Sequence, residues 1–192
     1  RTDAGVHSLG NVISFQSEKE VRVNEINNSL PDDIQILAKA PVRFGFKPRY
    51  AEMRQYRYVL FRSDLDLYKL NEVAQKTTTR TIDDIKITKA NLNDYHKKEF
   101  PNLHDTLSPV FVDIYGESFL WNMVRKMMRV FVDVAIGKLS FEKVEELLNP
   151  AENDPRANIK VLDPDYLILM DIKYDGVKFV YDDYACERFK RN

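Results

Sequence analysis

The sequence predicts a mixed fold, α/β or α+β, built around one large sheet with helices interleaved between its strands. Six runs of alternating or branched apolar residues have strand character, and two segments repeat their apolar residues at helical spacing. These patterns alternate along the chain without a fixed-period repeat or a low-complexity segment. A chain of 192 residues that is 44% hydrophobic can fill the core of one domain, or of one domain with an appended lobe.

In chain order, strands are predicted near residues 11–15, 34–40, 54–61, 79–87, 109–115 and 166–174, the last an almost continuous apolar run. In the third of these, strand periodicity puts Tyr56, Tyr58 and Leu60 on one face and Arg57, Val59 and Phe61 on the other. The strongest helix pattern covers residues 118–135. There Leu120, Met123, Val124, Met127, Met128, Phe131 and Ala135 recur at steps of three and four, and Gly137 supplies a stop. A shorter helix is predicted at 141–148, capped by Ser140 and followed by Pro150. Residues 51–54 and 149–158 read as connections rather than domain linkers, and the polar stretch 91–108 as an irregular surface excursion.

Several function classes are excluded. No apolar run approaches the ~18 residues of a membrane-spanning helix. Cys186 is the only cysteine, and His7, His96 and His104 are scattered, so neither a disulfide scaffold nor a structural zinc site is expected. No basic-then-apolar leader opens the chain, which begins at Arg1. The expectation is a cytoplasmic protein whose sequence starts inside a longer polypeptide.

The net charge of −1 argues against binding nucleic acid through a bulk positive field, but charge is unevenly spread. Between Arg43 and Arg62 six basic residues (Arg43, Lys47, Arg49, Arg54, Arg57, Arg62) face one acid, Glu52, and Arg125, Lys126 and Arg129 form a second basic cluster. If these stretches meet in space, one face of the molecule is positive.

The opening Arg1-Thr2-Asp3-Ala4-Gly5-Val6-His7 places a guanidinium, a hydroxyl, a carboxylate and a glycine just ahead of a strand, where rigid scaffolds present reactive groups. A positive φ at Gly5 would aim the carboxylate away from the backbone. On the physics of turns alone, an aspartate bonding its own backbone is the commoner outcome. The run extended through Ser8-Leu9-Gly10, however, closely resembles the active-site signature of the tRNA pseudouridine synthase A family. The resemblance continues in order through Leu30-Pro31-Asp32-Asp33-Ile34, Arg54-Gln55-Tyr56-Arg57-Tyr58, Phe119-Leu120-Trp121-Asn122-Met123-Val124-Arg125 and, more weakly, Asp163-Pro164 with Leu167-Ile168-Leu169.

That resemblance implies the pseudouridine synthase fold, an α+β arrangement in which helices flank a curved, largely antiparallel sheet around a central cleft. It implies isomerisation of uridine to pseudouridine in the tRNA anticodon arm, a homodimer holding one tRNA, and no cofactor or metal. Asp3 would be the catalytic carboxylate, acting on C1′ or C6 or assisting a glycal route. Aspartates ionise near ~3.9 without perturbing neighbours, so such a group needs no activating base. Arg125 would pair with it, and the planar fork of arginine would fix its orientation as lysine would not. Tyr56 would pack on the uracil and remove the C5 proton, with Tyr58 behind it. Arg1 would enter the RNA stack when the target base swings out. Thr2, His7, Arg49, Arg54 and Arg57 would contact RNA or support the site, and Leu167 and Leu169 would wall the pocket or belong to the core.

Two departures from the family pattern are expected to matter: its amino-terminal subdomain does not precede the signature, and its His-Asp-Phe segment is missing between Lys76 and Thr81. An RNA-binding module without turnover is the rival reading, against which the Asp3, Tyr56 and Arg125 set argues. A hydrolase using Asp3 would need a second carboxylate or base for water activation, and none stands out.

Overall fold

Strand β3 (Met53–Leu60) shows how the alternation becomes a sheet. Tyr56, Tyr58 and Leu60 are buried while Gln55, Arg57 and Val59 are only half-buried, the face assignment predicted from the period of two. The computed structural model describes residues 2–77, 82–90, 108–148 and 158–191. These fall into two compact units, Arg1–Asn11 with Ala51–Ile172, and Val12–Tyr50 with Lys173–Asn192.

In the first unit β3 is central to a sheet of order β1-β6-β3-β5-β4, formed with β1 (His7–Ser8), β4 (Ile82–Lys89), β5 (Val110–Gly116) and β6 (Leu167–Lys173). Both β3 and β4 run antiparallel to β5, and β1 runs parallel to β6. This is the mixed α+β class, with a mostly antiparallel sheet and flanking helices. Register sets Tyr56 against Ile114 and Tyr58 against Val112, so the buried face is continuous across the two strands. Helices α2 (Leu67–Lys76) and α3 (Met123–Ala135) pack on each other through stripes that include Leu70, Val73, Met128 and Phe131, all 0% exposed. Helix α4 (Phe141–Leu148) follows, opened by Ser140, whose hydroxyl accepts from Lys143 N–H at 3.4 Å.

The opposite face of the sheet carries an ion pair that the sequence did not suggest. Arg57 and Asp113 are register partners, and the guanidinium donates to both carboxylate oxygens at 2.9 and 2.8 Å, with Gln55 Nε2 adding a bond at 3.2 Å. The Arg57 guanidinium also lies over the Phe111 ring at 4.7 Å. The Asp113 side chain is only 7% exposed, so removing the arginine strands a desolvated carboxylate. Arg57→Gln is expected to cost about 2–3 kcal/mol of stability, and Asp113→Asn in the same chain should recover much of it, as a double-mutant cycle of thermal melts would read. Equal melting temperatures for wild type and Arg57→Gln would show the pair to be inert.

The second unit, by itself, is organised by polar cross-links around a short antiparallel pair, β2 (Ala38–Lys39) with β7 (Val180–Tyr181), and by helices α1 (Val23–Asn27) and α5 (Asp183–Arg191). Buried Asn27 bridges the Ile36 backbone, accepting from its N–H at 2.8 Å and donating to its carbonyl at 2.9 Å. Tyr174 donates to the Pro48 carbonyl at 2.8 Å and meets the Phe46 ring edge-on at 5.2 Å.

Several predicted boundaries are corrected. The alternation at 11–15 forms no strand, and Ile13 and Phe15 stay largely exposed; the pairing falls instead at His7–Ser8, where β6 offers a partner. Of the predicted 34–40 strand only Ala38–Lys39 pairs, because β7 is equally short. The long helix starts at Met123 rather than 118, since Asn122 adopts φ +58°, a left-handed conformation that interrupts helical bonding. Helices α1, α2 and α5 were not anticipated. The signal for α2 was present: Asp66 caps it through bonds from Tyr68 and Lys69 N–H, and Leu70, Val73 and Ala74 follow at helical steps. The excursion predicted from residue 91 lies almost wholly outside the described residues, as do most of the 149–158 connection and the start of the 79–87 strand. Among the described residues no helix is long and apolar enough to cross a membrane.

Candidate active site

The Asp3 carboxylate sits on a tight turn closed by a hydrogen bond from Val6 N–H to the Asp3 carbonyl at 3.2 Å. Gly5 takes φ +78° there, as the sequence predicted, and its missing Cβ has a second use. A methyl group at Gly5 would lie 2.8 Å from Pro164 Cγ, so an alanine would collide with the segment that leads into β6. Beyond the turn the chain locks into the sheet: His7 and Ser8 pair with Ile168 and Leu169, and Leu9 N–H donates to the Leu169 carbonyl at 2.8 Å. Gly10 permits equally close passage over Asp171, whose Cα would stand 2.8 Å from a Cβ. Asp3 is therefore half-buried on a short loop anchored at one end to the central sheet.

Tyr56, on β3, lies within range of this carboxylate's charge. Burial pushes its hydroxyl pKa up, the Arg54 guanidinium opposes that shift, and the nearby negative charge of Asp3 adds to it. The phenol thus keeps its proton at neutral pH. Its ring is held edge-on by Phe119, with centroids 5.1 Å apart. Arg54, two residues earlier on the same strand face, donates through Nη1 to the Glu117 carbonyl and so ties β3 to the loop bearing Phe119.

Arg125 lies in the first turn of α3, half-buried at the border of the apolar stripe as the helical spacing predicts. Its bonds differ from the expected pairing with Asp3. Nε donates to the Leu162 carbonyl at 2.7 Å and Nη1 to Asn122 Oδ1 at 3.0 Å, while Leu162 N–H returns a bond to the Arg125 carbonyl at 3.4 Å. Neither of these two guanidinium nitrogens is directed to Asp3, because the Leu162 backbone carbonyl and the Asn122 side-chain oxygen stand at hydrogen-bond distance. One residue further, the Asp163 carbonyl accepts from the Tyr58 hydroxyl at 2.8 Å. Burial and the Asp163 charge push that hydroxyl's pKa up to about 12 despite the opposing charge of Arg125. Residues 162–163 are thus gripped by two side chains, and they lead straight into the 3-10 turn Pro164–Tyr166 that abuts Gly5. Arg125 and Tyr58 both act on the frame behind the Asp3 turn.

The remaining predicted residues are distributed unevenly. Thr2 is half-buried beside Asp3, and His7 is exposed in β1. Arg1 lies outside the described residues. Arg57 points to the opposite sheet face, into its pair with Asp113, and is not brought to Asp3. Arg49 belongs to the second unit, where it donates to the Tyr50 hydroxyl at 2.6 Å. Leu167 and Leu169 are 2% and 1% exposed, as core residues are. The parts played by Leu162, Asp163 and Asn122 were missed, since backbone carbonyls and cap conformations carry almost no residue-type signal. Among the described residues no group of three or more His, Cys, Asp or Glu is placed to hold a metal ion.

Comparison with known proteins accords with this geometry. Residues 63–175 match the family model described as tRNA pseudouridine synthase. The chain is 92% identical to tRNA pseudouridine synthase A of Methanobrevibacter smithii, over all of this chain and 72% of that protein. The alignment spans 208 positions against 192 residues here, so within it the relative carries residues that this chain lacks. Identity is 37% to the protein of the same name from Methanothermobacter thermautotrophicus, over 98% of this chain and 68% of the relative. It is 31% to that of Pyrococcus abyssi, over 100% of this chain and 73% of the relative. With the family model covering more than half of its length, and such relatives aligned to nearly all of it, the chain belongs to the tRNA pseudouridine synthase A family, a family of isomerases.

Proposed function

We propose that this chain isomerises uridine to pseudouridine in the anticodon arm of tRNA, with Asp3 as the nucleophile. The observation that carries the reading is the Asp3 carboxylate on a turn packed against Pro164, with its charge felt at the buried Tyr56 hydroxyl. The reaction breaks the C1′–N1 bond, turns the uracil while it is held, and joins C1′ to C5. The proton lost from C5 is balanced by one gained at N1, so no redox partner or nucleotide is consumed. A carboxylate that bonds covalently to the substrate and is later released fits this exchange. Tyr56 retains its own proton, so it serves as a base toward C5 only by passing that proton on as it takes the other.

Extruding the target base costs a few kcal/mol, which contacts around the pocket offset. Arg1, Thr2, His7, Arg49, Arg54 and Tyr58 are assigned to RNA contact or to support of the site, with Arg1 entering the stack. Arg57 shares that assignment on the strength of the motif alone. A homodimer and a cytoplasmic location complete the proposal, the first supported by the resemblance and the second by where tRNA is met.

The test is single-turnover tritium release from tRNA labelled at uracil C5. Release is expected with unmodified tRNA and should vanish when the anticodon-arm uridines are replaced by cytidine. Release that survives replacement would place the target elsewhere in the tRNA, and binding with no release would favour an RNA-binding module.

A further inference from the structure

Leu120 and Trp121 are 81% and 82% exposed, and they stand at a hydrogen-bonded turn. Met123 N–H donates to the Leu120 carbonyl at 3.0 Å, Leu120 N–H reaches Met123 Sδ at 3.5 Å, and Lys126 N–H donates to the Asn122 carbonyl at 2.9 Å. Asn122 takes the left-handed conformation that turns the chain outward, and its side chain accepts from Arg125. A large apolar pair displayed this way is fixed in the open by two backbone bonds, one bond to the Met123 sulfur and a left-handed residue, at a hydration cost that folding alone does not require.

Its neighbours point to what covers it. Phe119, immediately before the pair, packs on the ring of Tyr56, whose hydroxyl feels the Asp3 charge. Arg125 and Lys126 follow within the next turn, and Arg54 is bonded to Glu117 at the start of the same loop. The turn thus joins a flat aromatic face to cations at the edge of the site. Nucleobases on a phosphate backbone present that combination in complement: π faces that stack on aromatic side chains and charges that pair with arginine and lysine.

We infer that Trp121, with Leu120 beside it, stacks on a nucleobase of the bound tRNA next to the target uridine, forming a substrate subsite at the edge of the site. The inference rests on the proposed function and adds to it a residue and a mode of recognition. Stacking of this kind tolerates any base, so the subsite contributes affinity and placement rather than sequence choice.

Trp121 is the only tryptophan of the sequence, so its emission reports on the contact directly. The protein is titrated with tRNA and with a separately labelled tRNA that measures binding independently, using Trp121→Phe as the emission blank. Quenching of the Trp121 emission, with protection from iodide, is expected at saturating tRNA. Trp121→Ala should weaken tRNA binding by roughly tenfold, and Trp121→Phe by much less. If labelled tRNA binds and tritium is released while the emission and iodide access stay unchanged, the subsite is overturned and the function stands. If tRNA does not bind at all, both fall. Emission that changes with protein concentration in the absence of tRNA would instead assign the turn to a second copy of the chain and overturn the RNA contact.

Discussion

Asp3→Asn is expected to abolish pseudouridine formation, by at least about 10⁴-fold, while tRNA binding stays within severalfold of wild type. The amide fills the same volume, and the turn bond from Val6 N–H to the residue-3 carbonyl involves no side-chain atom. The contact of Gly5 with Pro164 is likewise untouched. What is lost is the negative charge and with it the nucleophile. A second readout locates the carboxylate: since the Asp3 charge raises the Tyr56 pKa, its removal should lower the titration midpoint of that phenol, read by ultraviolet difference spectra against a Tyr56→Phe blank. Turnover retained in the asparagine variant would remove Asp3 as nucleophile. An unmoved phenol would separate it from Tyr56.

The next largest effect is expected from Arg125→Lys, a loss of about 10²-fold in rate with binding much less affected. Arginine spans two acceptors at once, the Leu162 carbonyl and Asn122 Oδ1, from separate nitrogens of one plane. Lysine keeps the charge but, as a point donor on a flexible stem, does not reproduce that fork. Released at Leu162, the segment running into Pro164 no longer presses on Gly5 in a fixed position, and misplacement of a catalytic group by about 1 Å costs rate on this order. Comparing kcat with tRNA affinity in the variant decides the matter. An unchanged rate would take Arg125 out of the site, and an equal loss of affinity would make it an RNA contact rather than a support for the Asp3 turn.

Much of this frame was legible in the residues. The faces of β3 follow from a period of two, the stop from Gly137, whose φ proves positive, and the family from ordered motifs that include parts of β1, β3 and α3. The left-handed Asn122 was not legible, and it moved the start of α3 and turned Leu120 out of the apolar stripe into solvent. The strand predicted at 11–15 failed for a related reason: alternation records which residues tolerate a pleated surface, whereas a strand exists only where a partner edge is available.

The sequence by itself determined the fold class, the family and the identity of the groups that could do chemistry, because hydrophobic period and residue type are local properties. Only the tertiary structure decided what those groups are bonded to. Arg57 and Arg54 stand three residues apart and read alike as basic residues of one strand, yet one is consumed by Asp113 across the strand and the other reaches the loop beside Tyr56. Arg125 was expected on Asp3 and instead grips the Leu162 carbonyl. Ion pairs and backbone acceptors are chosen by register and by distances between remote segments, and those are set when the sheet closes.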